Sequence, residues 1–198
     1  MKIFAFTDVH ANINALKKIR DKLLKEKPDL IICCGDLSFF GNGLDASARL
    51  INSFGIQTLI IPGNHESEKD IELLCKKYNN LKNIHKTFLI YDDILFYGFG
   101  TGGFSFVEPE LEKQIPKLKE EISKFKRFIF VTHAPIYGTK LDIIRNKHLG
   151  CKSSRELINI YSPELCLCGH FHEAERKKDK IKNCLIINPG KFGMIIKI

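Results

Sequence analysis

The hydrophobic pattern divides the chain into two stretches of different rhythm. Residues 2–7 form an apolar run of strand length. Ala15, Leu16, Ile19 and Leu23 then recur at helical spacing up to Pro28, which stops the helix. Residues 30–34 are a second apolar run, closed by Gly35-Asp36. Leu44, Ala48, Ile51 and Phe54 mark a second helix. Residues 56–61 predict a third strand closed by Pro62-Gly63-Asn64-His65, and Ile71, Leu74, Cys75 and Tyr78 a third helix. This alternation predicts a parallel βαβαβ unit.

The rhythm then changes. Residues 87–91 and 94–98 flank Asp92-Asp93, a hairpin signal, and a Gly-rich stretch follows at 98–103. An amphipathic segment starts near Glu108-Pro109, where Pro suits a first helical turn. Residues 128–132 predict a strand ending at His133. Ser153 and Glu156 have capping-box spacing ahead of Leu157, Ile158 and Ile160. Residues 165–168 predict a strand ending at Gly169-His170. Residues 181–187 and 192–198 flank Asn188-Pro189-Gly190-Lys191, a last predicted hairpin. No repeat, linker or low-complexity tract interrupts the pattern. The 198 residues, 44% hydrophobic, suit one domain over 1–198 with no separate cap domain.

Composition narrows the setting. No apolar run approaches the roughly 18 residues of a membrane span, and residues 1–8 acquire charge too soon for a signal peptide. Seven cysteines, without a Cys-x-x-Cys, predict buried free thiols in a reducing, cytoplasmic setting. A zinc site on Cys166 and Cys168 is disfavoured, because both fall on one strand face with no second pair nearby. The formal charge of +8 favours encounter with anionic substrates. Its lysines lack the interleaved aromatics of a nucleic-acid surface, so a small anionic partner is expected rather than a nucleic acid. The sequence leaves monomer and homodimer open.

Candidate chemistry concentrates at the strand ends. Five of the seven histidines fall in Asp8-Val9-His10, Gly63-Asn64-His65-Glu66, Thr132-His133-Ala134-Pro135 and Gly169-His170-Phe171-His172. Asp36 adds a carboxylate. Imidazole, carboxylate and amide oxygen are the donors that divalent transition metals accept. In open α/β sheets the carboxyl edge is where such groups converge. Two ions about 3.5–4 Å apart can bridge a hydroxide for in-line attack at phosphorus. Asp36 is the natural bridging carboxylate. Asp8 and His10 would complete one ion with one histidine of the last pair. Asn64 and His133 would complete the second with the other, since residues i and i+2 of an extended chain face opposite sides. His65 is left over as a group that acts on substrate. Glu66 either orients His65 or begins the next helix. His85 is expected at the surface, and His148 and Lys140 are weaker candidates for the rim.

These five motifs resemble, over nearly the whole chain, the calcineurin-like metallophosphoesterase superfamily. The resemblance implies a four-layer αββα sandwich of two mixed β-sheets flanked by helices. It implies that Asp8, His10, Asp36 and His172 bind one metal, and that Asp36, Asn64, His133 and His170 bind the second. His65 would be the catalytic acid or transition-state stabiliser, and the partner a small-molecule phosphoester substrate. Two divalent ions are implied, Mn²⁺ first, with Fe, Zn²⁺, Co²⁺ or Ni²⁺ acceptable to the same donors. Residues 98–103, 133–142, His172-Glu173 and Asn188-Pro189-Gly190 further resemble small phosphoesterases related to cyclic-nucleotide phosphodiesterases. That branch often carries His-x-Gly-Ser where this chain has His148-Leu149-Gly150-Cys151.

One departure bears on substrate. The protein-phosphatase branch follows Gly-Asp with Asp-Arg-Gly, whose Arg grips a phosphomonoester. This chain reads Gly35-Asp36-Leu37-Ser38-Phe39-Phe40. Without that guanidinium fork a nucleotide-like diester suits the site better than a dianionic monoester. Phosphomonoesterase, nuclease and non-enzymatic scaffold are the competing readings. A nuclease of this superfamily usually needs larger additions, and a scaffold would not need His65 with every ligand intact.

Overall fold

The computed structural model describes all 198 residues. The first sheet contains β1 (Lys2–Phe6), β2 (Leu30–Cys33), β3 (Thr58–Ile60) and β4 (Leu81–Asn83), all parallel, with β13 (Met194–Lys197) antiparallel beside β1. Their crossovers are α1 (Ile13–Glu26), α2 (Leu44–Asn52) and α3 (Glu68–Lys77). The second sheet has order β11-β12-β10-β7-β6-β5. Its central strands β6 (Ile94–Phe99), β7 (Arg127–Thr132), β10 (Leu165–Leu167) and β12 (Cys184–Ile187) are parallel. Strands β5 (Phe88–Tyr91) and β11 (Lys178–Ile181) close the edges antiparallel. Helices α4 (Pro109–Ile122) and α5 (Lys152–Tyr161) belong to this half, and a two-residue ladder joins β8 (Ile143–Ile144) to β9 (Lys147–His148).

The layers follow from side-chain alternation. In β1, Ile3 and Ala5 face the second sheet, where they meet the cluster containing Phe96, Ile129, Val131 and Leu167. Phe4 and Phe6 face the other way, onto Leu16, Ile19, Ala48 and Ile71 of the first three helices. In β6 and β7, Leu95, Tyr97, Phe128 and Phe130 pack on Leu111, Ile115, Leu157 and Ile158 of α4 and α5. Both sheets are therefore covered on both faces, which is why their strands are continuous apolar runs. This is the four-layer αββα sandwich. No helix is long and apolar enough to cross a membrane, and all seven cysteines are free, six of them buried.

Local signals set the helix ends. Asn12 caps α1 by accepting from the Ala15 N–H at 2.9 Å, and Lys27 ends it in the left-handed conformation. Ser67 and Asp70 form a reciprocal capping box at α3. At α5 the capping residue is Cys151, whose Sγ accepts from the Ser154 N–H. The predicted Ser153–Glu156 box does not form. Ser153 instead accepts from the Glu108 N–H and donates to Glu112, tying α5 to α4.

Two further expectations are corrected. The last hairpin does not exist, because β12 and β13 lie in different sheets and residues 188–193 cross between them. The real hairpin is β11–β12, turning at Lys182-Asn183. His85 is not at the surface but 7% exposed. Its Nδ1 accepts from the Gly100 N–H at 2.7 Å, which pins the Gly-rich loop after β6. Its Nε2 lies 3.2 Å from Glu68 Oε1, within ionic reach but without hydrogen-bond alignment. Glu68 also pairs with Lys86, which reaches Glu110 at 2.7 Å.

The Lys86 hydrogen bond is the largest influence on Glu68, and with the His85 contacts it outweighs desolvation and holds the carboxyl below its ordinary value. A depressed carboxyl stabilises the fold above its unfolded pKa and loses that contribution as pH falls through the folded value. Glu68→Gln should therefore lower Tm near neutral pH by about 1–4 °C, given ~0.2–1 kcal/mol for a half-exposed pair. The deficit should shrink in acid, as pH falls below the ordinary glutamate range. Equal deficits at both pH values in a thermal melt would contradict the ion-pair account.

Candidate metal centre

Each candidate ligand sits where a strand stops. Asp8 and His10 follow β1, Asp36 follows β2, Asn64 and His65 follow β3, His133 follows β7, and His170 and His172 follow β10. Parallel strands bring their carboxyl ends to one edge, so these side chains meet. Asp8, His10, Asp36 and His170 adopt left-handed backbone, with φ of 54°, 46°, 53° and 70°. That region costs a non-glycine residue about 1–2 kcal/mol. Four such residues at one site show turns held by the surrounding fold rather than by local preference.

Asp36 is the hub. It is 2% exposed. Its Oδ2 lies 3.4 Å from His133 Nε2, 3.7 Å from His65 Nε2 and 3.8 Å from His10 Nε2. Its Oδ1 accepts from the His65 backbone N–H at 3.1 Å. Burial works to raise the Asp36 pKa, but the His133 hydrogen bond and charge, with the His65 contacts, hold it below its ordinary value.

Three groups of ligand-type side chains meet here: Asp36–His133–His170, His10–Asp36–His65 and Asp8–His10–His172. Within each, one ligand atom per residue lies within 4.8 Å of the others. Asn64 joins the first, its Oδ1 standing 3.0 Å from His133 Nε2. The seven predicted ligands and His65 thus gather at one sheet edge, with Asp8 and His133 buried behind the residues that line its crevice. The reason expected for separating His170 from His172 does not hold. His170 is left-handed and His172 opens a 3₁₀ turn, so the chain there is not extended. The two imidazoles still part, one to each side.

Backbone partners fix the histidine tautomers. His133 Nδ1 faces the Cys34 carbonyl at 2.8 Å and His10 Nδ1 faces the Ser38 carbonyl at 3.2 Å. A carbonyl only accepts, so both Nδ1 atoms carry hydrogen, and Nε2 is the atom each ring turns toward Asp36 and the one that would coordinate a metal once its proton is displaced. His65 is reversed. The Phe40 N–H donates to its Nδ1 at 3.1 Å, which leaves Nε2–H pointing toward Asp36 and the crevice.

These residues fit divalent metal. His170 Nε2 is buried without a hydrogen-bond partner, an arrangement a coordinated cation would satisfy. His10 Nε2 and His172 Nε2 are 3.1 Å apart, close enough to demand a proton or cation between them. Burial, reinforced by the charge of His133, pushes the His170 pKa down to about 4, so its imidazole is neutral. At His133 burial opposes charge, but the Asp36 hydrogen bond and the Asp8 and Asp36 charges outweigh it and push the pKa up to about 9. A metal bound there would take the place of that proton.

Glu66 neither orients His65 nor opens α3, which starts at Glu68 behind Ser67. It is a buried clamp between two loops. Its Oε2 accepts from the Asp36 N–H at 3.1 Å and the Gly63 N–H at 3.0 Å. Its Oε1 accepts from the Ser38 N–H at 2.8 Å and Oγ at 2.6 Å. A Cβ on Gly63 would stand 2.0 Å from Asp36 Oδ1, so only glycine lets the loops approach.

The crevice measures about 410 Å³ and is lined by His10, Asp36, Phe39, Phe40, Asn64, His65, Phe104, His170 and His172. None of these is Lys or Arg. His148 and Lys140 stand elsewhere: His148 Nδ1 pairs with the buried Asp142 at 2.7 Å, and the Lys140 N–H donates to Asp179. The groups that sequence reading missed are main-chain ones, the Cys34 and Ser38 carbonyls and the Phe40 N–H. No side-chain signal marks them.

A family model described as calcineurin-like phosphoesterase matches residues 1–174. The uncharacterized protein MJ1162 of Methanocaldococcus jannaschii is 32% identical, over 96% of this chain and 88% of its own length. The probable glycerophosphodiester phosphodiesterase GpdQ of Arcobacter nitrofigilis is 28% identical over 83% of this chain, which spans 64% of that protein. Among solved structures, TT1561 of Thermus thermophilus superposes with a TM-score of 0.78 at 19% identity, over 96% of this chain and 88% of that one. The phosphopantetheinyl hydrolase PptH of Mycobacterium tuberculosis gives 0.66 at 13% identity, over 96% and 88%. At those identities the two structures speak to the fold. With the motifs, sandwich and family match in agreement, the chain belongs to the calcineurin-like phosphoesterases, a family of metal-binding hydrolases.

Proposed function

We propose that the chain is a dinuclear-metal phosphodiesterase, acting as a single domain without a separate cap. The observation that carries this reading is two ligand groups, Asp8–His10–His172 and Asp36–His133–His170, with Asp36 Oδ2 standing 3.8 Å from His10 Nε2 between them, at a crevice that has no Lys or Arg lining it. Asp8, His10, Asp36 and His172 would hold one ion, and Asp36, Asn64, His133 and His170 the other. Bound there, divalent ions would supply Lewis acidity and activate water for in-line attack at phosphorus. A dianionic monoester finds no cationic side chain among the lining residues, whereas a diester brings one charge fewer. The relative named a probable glycerophosphodiester phosphodiesterase supports the same choice.

His65 acts on substrate as a neutral donor. The Phe40 N–H occupies its Nδ1, so the hydrogen on Nε2 is the one available to a phosphoryl or leaving-group oxygen. Glu66 keeps Asp36 in register by anchoring its N–H. Asn64 contributes a neutral oxygen, which limits negative charge where an anion must bind.

Turnover of bis(para-nitrophenyl) phosphate with Mn²⁺ should exceed that of para-nitrophenyl phosphate. The reverse order would make the protein a phosphomonoesterase. His65→Ala should lower kcat about 10²–10³-fold with metal content retained, as for loss of one transition-state donor. Asp36→Asn should lose both activity and metal. Unchanged turnover in both variants would sink the mechanism.

Elemental analysis after dialysis against Mn²⁺ should find two ions per chain. Chelation should lower Tm by about 5–10 °C, since ligand at 100 times its Kd stabilises by ~2.7 kcal/mol. One ion per chain would refute the dinuclear reading.

Glu66→Gln turns an amide N–H₂ toward main-chain donors and should destabilise the fold by ~2–4 kcal/mol in denaturant titration. It should also weaken Mn²⁺ binding, because the same bonds place Asp36. Wild-type stability and metal affinity in this variant would remove Glu66 from the account.

A further inference from the structure

The rim of the crevice carries apolar surface that no core absorbs. Phe39, Phe40 and Phe104 are 55%, 67% and 76% exposed, yet all three line the crevice. They come from two separate loops, the first following Asp36 after β2 and the second following the Gly-rich run after β6. On one wall Phe40 lies against His65, with ring centroids 4.0 Å apart and planes inclined by 35°. Phe39 meets Phe40 edge-on at 5.2 Å. On the other wall Phe104 meets His170 edge-on at 4.4 Å. His65 and His170 each share a ligand group with Asp36, so the two walls flank the candidate reaction centre.

Exposed aromatic surface concentrated at a polar site marks a ligand-binding surface. Its chemistry narrows the ligand. A flat π-system stacks on phenyl rings and gains beyond the area it buries, whereas an alkyl group gains area alone. The chain carries 31 Lys and Arg, yet none lines this crevice. The walls are therefore built for an uncharged, planar substituent. The Phe40 N–H also sets the His65 tautomer, so a group seated on this loop sits beside the proposed donor.

We propose that Phe39, Phe40 and Phe104 form an aromatic clamp that selects phosphoesters bearing a flat aromatic group, a nucleobase or aryl ester, over alkyl esters. The inference rests on the phosphoesterase reading of the site and names its substrate class. Phenyl para-nitrophenyl phosphate and methyl para-nitrophenyl phosphate share a leaving group and differ only in the retained ester. With Mn²⁺ the wild type should favour the phenyl diester by about 10-fold or more in kcat/KM, equivalent to ~1.4 kcal/mol. Calorimetry on the Mn²⁺-loaded protein should show the same ratio between phenyl phosphate and methyl phosphate, with no turnover of a diester needed. Phe104→Ala, and Phe39→Ala with Phe40→Ala, should reduce both ratios to within about 3-fold, and Phe104→Tyr should restore them. These side chains are exposed, so the fold does not depend on them. A wild-type binding ratio near one, or a ratio untouched by all three alanine substitutions, overturns the clamp. A binding ratio that holds while neither diester is cleaved upholds the clamp and rejects the phosphodiesterase reading.

Discussion

A buried carboxylate with three imidazoles around one oxygen is the constraint on which the rest of the site depends. Asp36 is almost wholly enclosed, and its Oδ2 faces His10, His65 and His133. An ionised carboxylate removed from water is expensive unless donors or cations replace the water. The protein answers with the His65 N–H on Oδ1, the His133 imidazole on Oδ2 and left-handed backbone at Asp36 itself. Glu66, a second buried carboxylate, binds the main-chain N–H groups of Asp36, Gly63 and Ser38. One acid faces the ligands, and the other holds the loops that present it.

The same contacts join the two sheets. His133, from the second sheet, reaches the Cys34 carbonyl at the end of β2. Asp8, from the first sheet, accepts from the His170 N–H at 3.1 and 3.0 Å through its two oxygens. The candidate ligand set therefore straddles the seam of the sandwich, and any shift between the sheets would pull it apart. The apolar cluster between the sheets, which includes Ile3, Ile32, Phe96 and Ile129, fixes their spacing and with it the site. Packing far from the crevice thus becomes precision within it.

Neighbouring histidines present different atoms to the crevice because their backbone partners differ. His10 and His133 each give Nδ1–H to a carbonyl and turn Nε2 toward Asp36, as the atom that would coordinate a metal. His65 takes an N–H on Nδ1 and keeps Nε2 as a donor. Residue type alone does not separate the proposed ligands from the proposed donor, since all three are imidazoles near one carboxylate. The direction of one main-chain hydrogen bond does.

The chain's own pattern determined the helices, the strands that carry the motifs and the strand-end location of Asp8, His10, Asp36, Asn64, His65, His133, His170 and His172, because alternation and helical spacing are local and the motifs carry their chemistry in their side chains; it did not mark the short strands β4, β8 and β9 or separate β11 from β12. Tertiary structure decided what depends on residues distant along the chain. Strand β13 joined β1 across the sandwich instead of pairing with β12, since a turn signal at Asn188-Pro189-Gly190 does not say which sheet receives the next strand. His85, in a polar stretch, became a buried anchor for the loop that carries Phe104. Cys151 capped α5 while Ser153, in a capping pattern, turned to Glu108 and Glu112. Glu66 found its partners across two loops, and the Cys34 and Ser38 carbonyls and Phe40 N–H assigned the tautomers. Main-chain groups are the same at every residue, so only the folded chain shows which of them meets which side chain.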